Sequence, residues 1–163
     1  MKYLESYKMY KQPDGISCGP SCIKMVSDYV NKENCDIEEL MKVGNVDAKF
    51  GAIQYRMEKI LKYKKLDYTL EKTLNIEELI NGLNDNCVYI VMVYLEEIPH
   101  WILITKYEFN KFKINDPWLG ETRLTDKQLI AYYKNKTVSK FSIGVSILVR
   151  NRVIKINPQS LDA

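Results

Sequence analysis

The segment that most constrains the fold of this chain is an apolar run in its second half. Cys87–Leu95 reads CVYIVMVYL, which is nearly continuous in apolar side chains and rich in valine and tyrosine. Residues of this kind favour extended backbone, and a short uninterrupted apolar run is typical of a buried strand. We therefore expect a central strand here, with the other elements arranged around it.

Two further strands are predicted immediately after this one. The segment HWILITKY at residues 100–107 follows a loop expected over residues 96–99, and a third strand over residues 111–115 ends at a turn that begins with Asp116. Only the short link at residues 108–110 separates these two strands, which indicates a hairpin. The hairpin would place the start of the first strand and the end of the second at the same edge of the sheet.

Helical patterns come mainly before the strands. The first expected helix begins near Cys18 and runs to about Tyr29, with Ile23 and Val26 on its apolar face. Helices followed by strands favour an α+β fold with segregated layers over a doubly wound sheet. The other expected elements are a short helix capped by Asp36, a helix over residues 51–65, a helix over residues 76–83 capped by Asn75, a helix over residues 126–134 capped by Thr125, and a last strand over residues 141–149.

The composition is that of an ordinary globular chain of 163 residues without repeats or linkers. We expect a single domain over residues 1–155 and a loose tail over residues 156–163. No apolar run of about 18 residues predicts a transmembrane helix, and no signal peptide pattern opens the chain, which predicts a cytoplasmic protein. The net charge is only +3, and the lysines at residues 62–65 accompany no nucleic-acid motif, so we expect no nucleic-acid partner.

The segment QPDGISCGPSC, residues 12–22, places Cys18 at the junction of a turn and a helix. A helix N-terminus carries partial positive charge and free N–H groups, which favour the thiolate form of a cysteine. Pro20 suits the first helical turn, where its missing N–H costs no hydrogen bond, and Gly19 allows close approach of the backbone to a substrate. Cys18 is therefore the candidate nucleophile.

The chain has a single histidine, His100, so any chemistry that pairs cysteine with histidine must use it. A general base must be held in a fixed orientation, and its second ring nitrogen needs an acceptor. Asp116 closes the next predicted strand, so the hairpin would bring its carboxylate to His100. The neighbouring Asn115 could orient the ring instead, although strand alternation would point it to the opposite side.

Gln12 is the fourth candidate. Attack of a thiolate on an acyl carbon produces an oxyanion, which a side-chain amide and the backbone N–H of the nucleophile can stabilise. The turn formers Pro13, Asp14 and Gly15 lie between Gln12 and Cys18 and would allow the amide to return over the sulfur.

These segments resemble the C39 and C39-like cysteine peptidases of the papain-like superfamily, which include the domains that remove double-glycine leaders from bacteriocin precursors. The resemblance is carried by Gln-x5-Cys-Gly-Pro-Ser-Cys, then His-Trp-Ile-Leu-Ile, then Asn-Asp-Pro-Trp-Leu-Gly, and it covers residues 7 to about 149. It implies a papain-like α+β fold in which an N-terminal helical lobe packs against an antiparallel sheet.

The resemblance also implies a function and a set of site residues. The implied roles are nucleophile for Cys18, base for His100, orienting residue for Asp116 and oxyanion-hole donor for Gln12. The implied enzyme is a cysteine peptidase without cofactor or metal. Its substrate would be a peptide or protein, such as a leader-containing precursor.

Three other interpretations remain open. The same residues could transfer the acyl group to an amine or a thiol, as in acyltransferases and transpeptidases of this superfamily. A peptide-binding module would keep the fold without catalysis. A zinc site is the third alternative, although Cys-x3-Cys without a second pair is a poor signature. Its ligands would be Cys18, Cys22, Cys35 and His100.

The remaining cysteines and tryptophans have simpler interpretations. Cys22, Cys35 and Cys87 are expected to be reduced thiols that pack in the core. Trp101 alternates with His100 along the strand and is expected to pack on its opposite face. Trp118 could either line the cleft or cover an apolar surface.

Overall fold

The structure is a computed structural model that describes residues 7–71, 75–133 and 146–150. Within these ranges the helices are α1 (Cys18–Val30), α2 (Ile37–Gly44), α3 (Gln54–Tyr63), α4 (Ile76–Asn84) and α5 (Asp126–Tyr132). The strands are β1 (Tyr68–Glu71), β2 (Cys87–Leu95), β3 (Ile98–Glu108), β4 (Lys111–Asp116), β5 (Gly120–Leu124) and β6 (Ser146–Arg150). No helix in these ranges combines the length and the apolar character that crossing a membrane requires.

The described strands form one antiparallel sheet in the order β1-β6-β2-β3-β4-β5. The apolar segment Cys87–Leu95 is β2, as the sequence predicts, and it lies inside the sheet between β6 and β3. Helix α1 packs against β2 and β3, while α2 and α3 pack against α1. The predicted α+β fold, with N-terminal helices packed against an antiparallel sheet, is confirmed.

The two faces of β2 explain why its sequence is apolar at nearly every position. Val88 and Ile90 face a core that includes residues of α1, α2 and α3, whereas Tyr89, Val91 and Val93 face a second core with residues of α4 and α5. Because both faces of the strand are covered, Cys87–Val91 are buried without interruption, and partly exposed residues occur only from Met92 onward. The sequence predicts α4 and α5 as helices but does not indicate that they cover this second face.

Two tight turns connect the strands that carry the candidate residues. Glu96 and Glu97 link β2 to β3, with φ angles of 49° and 69°, and Phe109 and Asn110 link β3 to β4, with φ angles of 53° and 60°. Positive φ at both central residues is typical of the type I′ turn, whose twist matches that of the flanking strands. The β3–β4 hairpin is therefore tighter than the link at residues 108–110 suggests.

The loop expected over residues 96–99 is wrong for Ile98 and Pro99, which belong to β3. Pro99 pairs with Tyr94, whose N–H points away from β3 and donates to the carbonyl of Tyr133 at 3.3 Å. Residues opposite each other in an antiparallel pair exchange either both ladder bonds or neither. The N–H that proline lacks is therefore not needed in the ladder with β2, and the strand can begin before His100.

Other boundaries also differ from the sequence prediction. Helix α3 begins at Gln54 and not at residue 51, because Gly51 has a φ of 59° and forms an isolated bridge with Asp47. The edge strands β1 and β5 are not predicted from the sequence pattern. The last strand is described only from Ser146, and residues 141–145 and 156–163 lie outside the described ranges.

Gly19 allows α1 to lie close to its neighbours at the start of the helix. A Cβ atom added at Gly19 would lie 2.5 Å from Sδ of Met57, 2.9 Å from Cβ of Ala52 and 3.1 Å from Cδ1 of Trp101. These distances leave no room for a methyl group. Because Gly19 adjoins Cys18, the same packing fixes the first turn of α1 against β3.

We expect Gly19→Ala to lower the free energy of unfolding by about 1–3 kcal/mol, because the added methyl overpacks this contact. Urea unfolding followed by circular dichroism measures the change. Gly15→Ala is the matched control, since a Cβ at Gly15 would meet nothing within 4 Å, and its effect should stay within about 0.5 kcal/mol. Equal stabilities of the two variants would contradict the packing argument.

Candidate active site

Cys18 is the first residue of α1 and lies where the helix reaches the protein surface. Ser17 occupies the N-cap position, and its carbonyl accepts the N–H of Ser21 at 2.9 Å. Pro20 falls in the first turn, where helical N–H groups have no intrahelical acceptor. The residues of α1 from Gly19 to Ser27 are buried, whereas Cys18 is half-buried. The thiol is thus accessible at the end of an otherwise enclosed helix.

His100 and Asp116 come together through the β3–β4 hairpin. The register pairs Leu103 with Asn115, and His100 and Asp116 lie three and one residues from this pair, so both point to the other face. Nε2 of His100 is 2.7 Å from Oδ1 of Asp116. His100 is 6% exposed and Asp116 is 0% exposed, so bulk water is largely excluded from this pair.

The side chain of Cys18 also acts on the imidazole, because hydrogen bonding and charge at Cys18 contribute to the raised pKa of His100. Because Nε2 is used by Asp116, Nδ1 is the ring nitrogen that remains for the thiol. The structure therefore brings Cys18, His100 and Asp116 together in series, with the imidazole in the middle.

The pKa of His100 depends on this arrangement. Burial lowers the pKa, but the hydrogen bonds with Asp116 and Cys18 and their charges outweigh burial and raise it from 6.5 to about 9. A group with this pKa carries its proton at neutral pH. The imidazole is therefore a positively charged imidazolium at neutral pH.

Asp116 is a buried carboxylate that accepts several hydrogen bonds. Besides His100, the backbone N–H groups of Trp118 and Leu119 donate to Oδ1, at 2.8 Å and 3.2 Å, and the hydroxyl of Tyr133 donates to Oδ2 at 2.8 Å. Burial raises the pKa of Asp116, but the hydrogen bonds from His100 and Tyr133 and the charge of His100 hold it below its usual range. The carboxylate is therefore ionised at neutral pH although it has no exposed surface.

Gln12 is tied to the turn that follows Asp116. Its backbone N–H donates to the carbonyl of Pro117 at 2.8 Å, and its side-chain Nε2 donates to the carbonyl of Asp14 at 2.6 Å. The carboxylate of Asp14 in turn accepts the N–H of Ile16 at 3.0 Å. These bonds fix the turn between Gln12 and Cys18 and orient the amide nitrogen. They use one of the two hydrogens on Nε2.

Several neighbours of the site have structural roles. Asn115 points away from His100 and donates to the carbonyl of Tyr7 at 3.2 Å. Trp101 packs on the opposite face of β3 from His100 and donates from Nε1 to the carbonyl of Ala52 at 2.8 Å. Cys22 is fully buried, and burial first, then Cys18 and Asp116, raises its pKa well above the ordinary value.

The four residues considered for a zinc site do not form one cluster of ligands among the residues that the structure describes. In the described part of the chain, the metal-ligating side chains that lie close together are Asp28, Glu33 and Cys35, with ligand atoms within 4.8 Å of one another. Neither Cys18 nor His100 is among them. A cation already occupies the surroundings, because Nζ of Lys24 contacts Asp28 at 2.8 Å and the carbonyl of Cys35 at 2.6 Å.

Sequence reasoning missed two features of this site. Trp118 is exposed at the turn after Asp116, and its contribution comes from the backbone N–H, which any residue except proline supplies. Tyr133, directly after α5, contacts the carboxylate, and no local pattern distinguishes it among the 12 tyrosines of the chain.

We expect the imidazole of His100 to titrate with a pKa of about 9. Because the chain has one histidine, a single imidazole signal in an NMR titration reports it without assignment. Asp116→Asn should lower this pKa, since it removes the charge that stabilises the imidazolium. Asp126→Asn, at the exposed start of α5, is the control and should leave the pKa unchanged. A wild-type pKa at or below the ordinary value of 6.5 would contradict the assigned geometry.

Several solved structures share this fold. The peptidase domain of Streptococcus ComA, a bifunctional ABC transporter of a quorum-sensing pathway, has a TM-score of 0.69 at 19% identity and covers 89% of this chain and 99% of its own. The double glycine motif protease of an AMS/PCAT transporter, in complex with the leader peptide, has a TM-score of 0.63 at 15% identity, covering 88% and 91%. The peptidase domain of Streptococcus mutans ComA has a TM-score of 0.59 at 15% identity, covering 88% and 98%. These similarities confirm the papain-like α+β fold.

The sequence comparisons give the family. No curated protein sequence matches this chain. The family model of peptidase C39 matches residues 6–140, which include Gln12, Cys18, His100 and Asp116. Since this match covers most of the sequence, the chain belongs to the peptidase C39 family.

Proposed function

We propose that this protein is a cysteine peptidase that hydrolyses peptide bonds, with Cys18 as nucleophile, His100 as acid and base, and Asp116 as the orienting carboxylate. The observation that carries the proposal is the position of His100, whose Nε2 lies 2.7 Å from Oδ1 of Asp116 and whose pKa is raised by both Asp116 and Cys18. A nucleophile, a base and an orienting group in series is the arrangement that activates a thiol for acyl chemistry.

The resting state follows from the charges of the site. An imidazolium with a pKa of about 9 and the N-terminus of α1 both favour a thiolate at Cys18. The thiolate attacks the carbonyl carbon of a peptide bond, and a C–S bond forms while the carbonyl electron pair moves to the oxygen. Asp116 stays ionised and holds the ring in the orientation that keeps its proton near the reacting atoms.

The oxyanion needs donors, and we assign these to Gln12 and the backbone N–H of Cys18. The bond from Nε2 to the carbonyl of Asp14 holds the amide with its nitrogen oriented, and the second hydrogen on Nε2 remains to donate. The N–H of Cys18 belongs to the first turn of α1, where N–H groups lack helical acceptors. Two such donors, held before the reaction begins, stabilise the charge that develops on the oxygen.

Product release completes the cycle. His100 gives its proton to the leaving amine as the C–N bond breaks, which leaves a thioester on Cys18. Water then attacks the thioester carbonyl while the neutral imidazole takes its proton. Collapse of the second tetrahedral intermediate breaks the C–S bond, releases a carboxylic acid and restores the thiolate–imidazolium pair.

As substrate class we propose peptide precursors that carry a double-glycine leader. The support is the similar fold of the double glycine motif protease that was solved in complex with the leader peptide. Transfer of the acyl group to an amine would pass through the same thioester, so the products decide between the two reactions. With an amine present in competition with water, a hydrolase gives a product with a free carboxylate, whereas an acyltransferase gives the amide.

We expect Cys18→Ala to abolish cleavage of synthetic leader peptides with a double-glycine site, because no other thiol lies beside His100 in the described structure. Mass spectrometry of the peptides measures cleavage, and circular dichroism shows that the fold is kept. Cys22→Ser is the matched control, since Cys22 is fully buried. It should retain cleavage and lower stability by about 1–3 kcal/mol, because it places a hydroxyl in the core.

Thiol labelling tests the same assignment without a substrate. Iodoacetamide should modify Cys18 ahead of Cys22, since Cys18 is half-buried at the surface and Cys22 is enclosed. Cleavage that persists in Cys18→Ala, or equal labelling of the two thiols, would refute the proposed nucleophile.

We expect Gln12→Ala to lower kcat by roughly a hundredfold to a thousandfold, the usual cost of one oxyanion-hole donor. Alkylation of Cys18 by iodoacetamide passes through no oxyanion, so its rate should be nearly unchanged in this variant. The comparison of the two rates separates a lost donor from a disturbed thiol. A parallel loss in cleavage and alkylation would show that Gln12 acts on the fold of the turn and not on the oxyanion.

A further inference from the structure

We propose that Tyr133 is a positioning residue of this reaction, whose hydroxyl fixes the Asp116 carboxylate and thereby the orientation of His100. The inference rests on the proposed function, because it assigns Tyr133 a role in the same site. It goes beyond that function by adding a residue that directly follows α5 and whose hydroxyl donates to the carboxylate of Asp116.

The donors of Asp116 are divided unequally between its two oxygens. Oδ1 accepts the ring of His100 and the backbone N–H groups of Trp118 and Leu119, whereas Oδ2 accepts the hydroxyl of Tyr133 at 2.8 Å. The two backbone donors follow Asp116 directly along the chain, so they shift with it. Tyr133 is the donor that ties the carboxylate to a different element besides β3. Contacts to both oxygens from separate elements fix the plane of the carboxylate, and hence the direction from which Oδ1 meets Nε2.

Tyr133 is itself held firmly. Its side chain is 0% exposed. Its N–H donates to the carbonyl of Leu129 at 3.1 Å, and its carbonyl accepts the N–H of Tyr94 in β2 at 3.3 Å. The other end of α5 is fixed by a capping box between Thr125 and Gln128. The hydroxyl therefore cannot leave the carboxylate without movement of the helix end.

The charges that face Asp116 make this hydroxyl important. The titratable groups that face Asp116 are His100 on β3, Tyr133 after α5 and Cys22 on α1, and His100 carries the charge among them. Burial, together with the charge of Asp116, raises the pKa of both Tyr133 and Cys22, so both remain protonated and neutral. Tyr133 can thus only donate to the carboxylate. Loss of its hydroxyl would leave Oδ2 buried without this donor, which raises the pKa of Asp116 and frees the carboxylate to turn.

The test compares Tyr133→Phe with Tyr132→Phe. Each variant removes one hydroxyl and keeps the ring, and the neighbouring Tyr132 is 50% exposed. The first readout is the rate of alkylation of Cys18 by iodoacetamide as a function of pH, which reports the thiolate–imidazolium pair without any substrate. The second readout is kcat and KM with double-glycine leader peptides. Thermal unfolding is recorded for each variant.

For Tyr133→Phe we expect kcat to fall roughly tenfold, the loss of one charge-assisted hydrogen bond, with KM unchanged because Tyr133 is buried beneath the site. The acid limb of the alkylation profile should move to higher pH, since Asp116 protonates more readily. Tyr132→Phe should match the wild type in both readouts.

The proposal would be overturned by a Tyr133→Phe protein that keeps the wild-type kcat and pH profile, even if it unfolds at a lower temperature. Equal changes in both variants would overturn it as well. Failure of the proposed function is distinguishable, because it would appear in the wild type as an absence of Cys18-dependent cleavage. In that case the alkylation profile alone decides the role of Tyr133.

Discussion

The hydrogen bond between His100 and the buried carboxylate of Asp116 is the interaction on which the rest of this site depends. An ionised carboxylate without exposed surface is stable only if charged or polar donors replace its water. Here the donors come from β3, from the turn after β4 and from the end of α5. Each of these elements must therefore be in place before the charge can be buried, which couples the geometry of the site to the completion of the fold.

The position of the site follows from a sheet that is covered on both faces. The helical lobe with Cys18 packs on one face, and α4 and α5 pack on the other. Neighbouring residues on β4 therefore enter different surroundings: Asn115 contacts Tyr7 in the first core, and Asp116 contacts Tyr133 in the second. Cys18 lies at the start of α1, on one side of the sheet, and Asp116 contacts Tyr133 on the other side. The candidate triad therefore combines residues from both sides of the sheet.

Much of this arrangement is predictable because it depends on short-range sequence patterns. The I′ hairpin between β3 and β4 turns the separation of His100 and Asp116 along the chain into contact, and the strand period places Asn115 on the other face. The junction of turn and helix at Cys18 is equally local, since it depends on the conformational limits of glycine and proline. The extent of β3 was not predictable in the same way. Pro99 reads as a loop residue, and only the direction of the Tyr94 N–H shows that its missing donor is harmless.

The sequence by itself determined the residue types that can perform the chemistry, the helices and strands that carry most of them, and the family. Tertiary structure alone decided that α5 covers the second face of the sheet, that Tyr133 holds the carboxylate, and that the backbone N–H of Gln12 is anchored to the carbonyl of Pro117. The physical reason is that backbone conformation follows from neighbouring residues, whereas a contact between distant side chains depends on how whole elements pack. A buried tyrosine and an exposed one can carry the same local signal, and only packing against Asp116 distinguishes them.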